Sequence, residues 1–219
     1  MKTILVTGAN KGVGLEITRI LANRGDKVIA CCRRPDEASS LKAIDGNVDI
    51  CEVAVGDDSS VRNLALVLEG IRIDTLINNA GTMGPESNRQ SAVDMDFQGW
   101  ADAFNINSMG PVRMMQAFLP NLRLADSPKV MTVSSQMGAL SLDMTAAHAY
   151  CASKAAINKF MRLASIDLKT EGIAIGLVHP GWVRTDMGGP KAQLSPEESA
   201  KGCIEVTDSL NIENTGGFW

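Results

Sequence analysis

The sequence predicts an α/β protein whose open, mostly parallel sheet carries helices on both faces, and three observations lead there. Short apolar runs alternate roughly six times with segments of helical spacing. The first run is followed at once by a glycine-rich turn that opens a helix. No linker, repeat or shift of composition divides the chain, so residues 1–219 read as a single domain.

The elements follow in order. Residues 3–7, 27–32, 48–54, 75–78, 130–134 and 173–178 are apolar enough to be strands buried on both faces. Between them, residues 14–24 put Leu15, Ile17 or Thr18, Leu21 and Ala22 on one helical face. Residues 36–43, 59–68, 108–124 and 150–169 have the same spacing. A last helix over 196–210 starts with Ser195 as N-cap and Glu198 three residues on, a capping box.

Composition excludes several classes. Apolar residues are 45% and charged residues 21% of 219, with a net charge of −4, which argues against a nucleic-acid footprint. The N-terminal apolar run is too short for a signal peptide, and no stretch is long enough to span a membrane. Five cysteines without a CxxC pair argue against zinc and a disulfide framework. A cytoplasmic, metal-free protein is the expectation.

The turn after the first strand reads Thr7-Gly8-Ala9-Asn10-Lys11-Gly12-Val13-Gly14. Gly8 suits a tight strand exit, Gly12 a close approach of backbone to a pyrophosphate, and Gly14 a helix packed closely on the sheet. The helix N-terminus then offers N–H groups and partial positive charge to phosphates. The turn stands where a doubly wound sheet binds dinucleotides, so a Rossmann-type sheet of order 3-2-1-4-5-6 is the expectation. The second strand ends Cys32-Arg33-Arg34, with no carboxylate for a ribose hydroxyl. Arg33, Arg34 and Lys11 are cations suited to a 2′-phosphate, so NADP(H) is preferred, with NAD(H) possible.

Tyr150, the only tyrosine, precedes Lys154 by one helical turn and shares its face. At roughly 5 Å and an effective dielectric of ~20, the ammonium favours phenolate by ~3 kcal/mol. That moves a phenol from ~10 toward ~8, where it can exchange a proton with a substrate oxygen. Ser135 and Asn78-Asn79-Ala80-Gly81 close strands at the sheet edge where such folds bind ligands, and Asn107 lies near a helix start.

These motifs, with Pro180-Gly181, resemble the short-chain dehydrogenases/reductases over nearly the whole chain. Residues 179–189, His-Pro-Gly-Trp-Val-Arg-Thr-Asp-Met-Gly-Gly, resemble the C-factor branch and its sniffer-like carbonyl reductases. The resemblance implies Tyr150 as proton donor in carbonyl reduction, Ser135 as hydrogen-bond partner of the substrate oxygen, and Lys154 as the group that tunes Tyr150 and binds the nicotinamide ribose. It implies a water held by Asn107 in a proton relay. Gly8, Asn10, Lys11, Gly12, Val13, Gly14, Arg33, Asn79, Ala80, Gly81, Tyr150, Lys154, Pro180, Gly181, Val183 and Thr185 would border the cofactor. Ala54 stands where the family carries Asp, which leaves the backbone of Ala54 and Val55 to flank the adenine.

The seventh strand of the family is expected to be short or missing. A homodimer through the helices beginning near Ser108 and Tyr150 is also implied. Met137, Met144, Trp182 and Met187 would face an apolar carbonyl or alcohol substrate, because methionine adapts to varied shapes. Carbonyl reduction with NADP(H) is the leading expectation. NAD-dependent alcohol oxidation and a C-factor-like signalling or cofactor-sensing role are the alternatives.

Overall fold

The computed structural model describes residues 1–143 and 146–219. Along the chain run β1 (Thr3–Thr7), α1 (Gly12–Asn23), β2 (Lys27–Cys32), α2 (Ser39–Lys42), β3 (Val48–Glu52), α3 (Asp58–Val67) and β4 (Thr75–Asn78). There follow α4 (Phe97–Phe104), α5 (Gly110–Leu122), β5 (Lys129–Val133), α6 (His148–Asp167), β6 (Ala174–Val178) and α7 (Pro196–Ser209).

The six strands form one parallel sheet in the order β3-β2-β1-β4-β5-β6. Strand side chains alternate between two cores, as a doubly covered sheet requires. Leu5, Ile29, Leu76, Val130 and Ile175 pack with Val61 and Leu64 of α3, Met114 and Phe118 of α5, and Ile157 and Met161 of α6. Val6, Ala30, Ile77, Met131 and Val178 pack on the opposite side with Leu41 of α2, Ile17 and Leu21 of α1, and Cys203 and Ile204 of α7. The order reverses between β1 and β4, so their C-terminal ends diverge into opposite crossovers and leave a crevice there.

The helix expected over 36–43 contracts to a 3₁₀ turn at Pro35–Glu37 and the four residues of α2. Pro35 and two serines suit turns better than a continuous helix. Sequence spacing does not reveal α4, whose short length and central Gly99 blur its periodicity. Its local signal is Asp96, which caps it by accepting from the Gly99 N–H at 3.0 Å. A π-helical turn, Asn105–Met109, joins α4 to α5. The seventh strand is short: Phe218 bridges Leu177, and the Trp219 N–H donates to the Leu177 carbonyl at 3.0 Å. Among the described residues, no helix is long and apolar enough to cross a membrane.

Candidate active site

The glycine turn is built around missing side chains. Gly8 and Gly12 have φ of +65° and +56°. A Cβ on Gly14 would lie 2.3 Å from the Gly8 carbonyl oxygen and 2.4 Å from Asn79 Nδ2. Asn79 ties this turn to the exit of β4, donating to the Thr7 and Gly8 carbonyls at 3.0 and 3.2 Å. The Thr7 hydroxyl accepts from the Asn79 and Ala80 N–H groups at 3.0 and 3.1 Å. No side chain caps the N-terminus of α1, and its first turn has no acidic residue. A pyrophosphate fits such a cradle, bare of Cβ atoms and facing uncapped N–H donors.

Over Gly12 sits Thr185, whose Cγ2 lies 3.1 Å from where a Gly12 Cβ would be. Thr185 belongs to a self-stapled loop. Val183 pairs with Leu194, the Trp182 indole donates to the Gly188 carbonyl at 2.8 Å, and Arg184 donates to the Gln193 carbonyl at 2.6 Å. Gly181 turns into it with φ +80°, and the Pro180 carbonyl accepts from the Ser199 hydroxyl at 2.6 Å. An exposed ion pair at 2.8 Å between Lys11 and Asp186 ties the loop back to the glycine turn.

Two of the three expected cations therefore already have partners. Lys11 pairs with Asp186, and Arg34 with Glu37 at 3.1 Å, because each has a carboxylate within reach. Arg33, exposed at the end of β2, makes no ion pair among the described residues. Ala54 and Val55 begin the β3–α3 turn, where the Ser60 hydroxyl accepts from the Ala54 N–H at 2.9 Å.

Ser135, Tyr150, Lys154 and Asn107 are all buried. Lys154 Nζ lies 5.6 Å from the Tyr150 ring centroid and donates to the Val133 carbonyl at 3.0 Å. The expected depression of the Tyr150 pKa does not occur. Burial raises it and outweighs the opposing hydrogen-bond effect of Ser135, while Cys151 adds to the rise. Lys154 is itself buried, which pushes its ammonium down to about 8. The helical spacing is as expected; what the sequence could not display is that the same burial disfavours both charged forms.

Asn107 comes from the π-helical turn, and its amide is fully engaged. It accepts from the Thr82 N–H at 2.8 Å and donates to the Thr82 carbonyl at 2.8 Å and the Ser153 hydroxyl at 3.0 Å. Thr82 and Ser153 were not among the expected site residues; Ser153 shares the Tyr150–Lys154 interval, the one signal that could have marked it. Gly81 leaves room here, since a Cβ on it would meet Asn107 Oδ1 at 3.3 Å and Lys154 Nζ at 3.9 Å.

The expected substrate residues separate. Trp182 and Met187 are exposed on the stapled loop. Met137 lines a crevice of about 210 Å³ with Leu140, Leu142, Cys151, Ala152 and Ala155, and neither Ser135 nor Tyr150 borders it. Met144 lies outside the described residues.

The Lys154 pKa has a thermodynamic consequence. An ammonium held at about 8, against an ordinary 10.5, releases its proton on folding within that window. The unfolded chain then binds more protons, so this residue's contribution to stability rises with pH from about 8 to about 10. In the ligand-free protein, Lys154→Met is expected to gain relative to wild type at about pH 7.5 and to lose that advantage by about pH 10. Chemical denaturation of both proteins at the two pH values checks this; a gap independent of pH refutes it.

The comparisons with known proteins agree with this geometry. The short chain dehydrogenase family profile matches residues 2–195. C-signal of Myxococcus xanthus is 44% identical over 148 residues, covering 67% of this chain and 87% of that protein. The 1-hydroxy-2-glutathionyl-2-methyl-3-butene dehydrogenase of Rhodococcus sp. (strain AD45) is 32% identical, covering 100% of this chain and 96% of the relative. Among solved structures, an NADPH-bound carbonyl reductase from chicken fatty liver superposes with a TM-score of 0.90 at 30% identity, covering 100% of this chain and 95% of that one. The carbonyl reductase Sniffer of D. melanogaster gives 0.91 at 27%, covering 100% and 96%. With its parallel sheet, glycine turn and Ser135–Tyr150–Lys154 cluster, this chain belongs to the short-chain dehydrogenase family, on the C-factor and sniffer-like branch.

Proposed function

We propose that this oxidoreductase reduces a carbonyl to an alcohol, with NADP(H) as its cofactor. The observation that carries the reading is the burial of Tyr150 and Lys154 on one face of α6, with Lys154 Nζ 5.6 Å from the Tyr150 ring centroid. Bound NADPH supplies the hydride. Gly8, Gly12, Gly14 and the N-terminus of α1 would hold its pyrophosphate, Asn79, Ala80 and Gly81 the crevice wall, and the backbone of Ala54 and Val55 its adenine.

The protein's own share is orientation and a proton. Tyr150 holds its proton at neutral pH and can give it to an oxygen that gains charge, although burial, by raising its pKa, makes it a weaker acid than a free phenol. The Ser135 hydroxyl donates a second hydrogen bond to that oxygen, in a site where water is scarce and each bond counts for more. Lys154, titrating near 8, can hold or pass on a proton close to neutrality and so restore the phenol. The Asn107 amide is spent on Thr82 and Ser153, so a relay water falls to the main chain of the π-helical turn.

Preference for NADP(H) rests on Arg33, since β2 ends without a carboxylate. A charge-assisted bond from its guanidinium to a 2′-phosphate is worth roughly 1.5–3 kcal/mol. Arg33→Ala is therefore expected to lower the NADPH-to-NADH affinity ratio by about 10- to 100-fold; an unchanged ratio overturns the assignment. The function itself is tested by following NADPH and NADH consumption with a panel of aldehydes, ketones and diones. Turnover with NADPH supports the reading. Tight NADPH binding without turnover on any carbonyl overturns it in favour of a cofactor-sensing role.

A further inference from the structure

The π-helical turn is held from outside as well as from within. On its inner side, Asn107 is bonded to Thr82 and Ser153, and the Ser108 hydroxyl donates to the Ser153 carbonyl at 2.7 Å. On its outer side the turn meets the β3–α3 connection at both ends. Asn105 Nδ2 donates to the Gly56 carbonyl at 2.9 Å. At the other end Gly110 lies so close that a Cβ on it would be 3.0 Å from Val55 Cγ2 and 3.2 Å from the Val55 carbonyl oxygen. Arg113, one turn further along α5, donates to the Asn105 carbonyl at 3.3 Å and pairs with Asp58 at the start of α3. Asn105, Arg113 and Asp58 are absorbed by no step of the mechanism above.

A π-helical turn carries one more residue than the α-helix it interrupts, and it is the less stable form. If the segment relaxed to regular α-helix, residues on one side of the insertion would rotate by about 100° relative to the other. Asn107 would then leave Thr82. Something must hold the wide register, and the bonds of Asn105 to Gly56 and of Arg113 to Asn105 are placed to do so.

We propose that Asn105 and Arg113 are positioning residues: they lock the π-helical turn onto the β3–α3 connection and thereby fix Asn107 at the catalytic face. This rests on the parts given above to Asn107 and to Ala54 and Val55. The same clamp then joins the adenine side of the cofactor cleft to the proton-relay side, through one layer of contacts. Asn105→Ala removes the donor to Gly56. Asn105→Asp keeps the shape but removes the same donor. Arg113→Lys keeps a charge for Asp58 but loses the planar fork that also reaches Asn105.

The experiment has two arms. Amide hydrogen exchange in the ligand-free protein reads the Thr82 N–H, whose acceptor is Asn107 Oδ1, with the Ala174 N–H of β6 as reference. Steady-state kinetics read kcat and the KM for NADPH. All three variants are expected to speed exchange at Thr82 about tenfold with Ala174 unchanged, and to lower kcat about tenfold with KM within about threefold. Restoring the amide one methylene further out, in Asn105→Gln, is expected to recover part of both. Unchanged Thr82 exchange overturns the proposal, as does acceleration that affects Ala174 equally, which marks general loosening. The exchange arm decides even if wild type reduces no carbonyl, so failure here and failure of the reductase reading are told apart. Should Asn105→Ala not fold, Arg113→Lys carries the same measurements.

Discussion

Replacing Tyr150 by phenylalanine is expected to lower carbonyl turnover at least ~10²-fold, the low end of what a positioned acid contributes. The substitution deletes one oxygen and keeps the ring, so the packing around α6 survives. Lys154 Nζ remains 5.6 Å from a ring centroid and keeps its bond to the Val133 carbonyl. NADPH affinity should therefore change little, because the glycine turn and Arg33 are untouched. Single-turnover and steady-state assays of the variant, with NADPH binding followed by fluorescence, check both halves. Near-normal turnover would remove Tyr150 from the mechanism. Loss of binding together with turnover would show that the phenol serves structure first.

Gly14→Ala is expected to cost about 2–3 kcal/mol of stability and to abolish measurable dinucleotide binding. The added methyl would sit 2.3 Å from a backbone oxygen and 2.4 Å from Asn79 Nδ2. Real Cβ contacts are not that short, and a backbone oxygen in the first turn of the fold cannot step aside cheaply. Either α1 moves off the sheet or Asn79 releases Gly8; both open the cradle. A melting temperature lower by roughly 5–10 °C is the corresponding thermal signature. Gly25→Ala is a useful contrast, since no atom lies within 4 Å of its would-be Cβ, although its φ of +87° adds backbone strain. A Gly14→Ala protein that melts like wild type and binds NADPH would disprove the close-packing argument.

The sheet was legible in the sequence because strands buried on both faces are written as apolar runs such as Ile4-Leu5-Val6 and Ile173-Ala174-Ile175. The glycine turn was legible because chain chemistry and ligand chemistry ask for the same residues at 8, 12 and 14. What stayed hidden depends on pairs distant in sequence. Nothing local tells that Lys11 meets Asp186, or that Asn107 spends its amide on Thr82. Ionisation was hidden for the same reason: attraction between Tyr150 and Lys154 can be computed from helix geometry, but the opposing desolvation depends on how many layers cover them. The π-helical turn was invisible because a one-residue insertion leaves no composition signal.

The bonds between Thr7 and residues 79 and 80 also constrain the order of events as the chain folds. The glycine turn emerges first during synthesis, yet its shape depends on a strand made some seventy residues later. Pairing across that separation closes a long loop before any reward is collected, which makes it a slow step. Dinucleotide thus has no preformed seat on the early nascent chain. It can stabilise only species in which β4 has already docked on β1, so added cofactor should slow unfolding without accelerating the first stages of refolding.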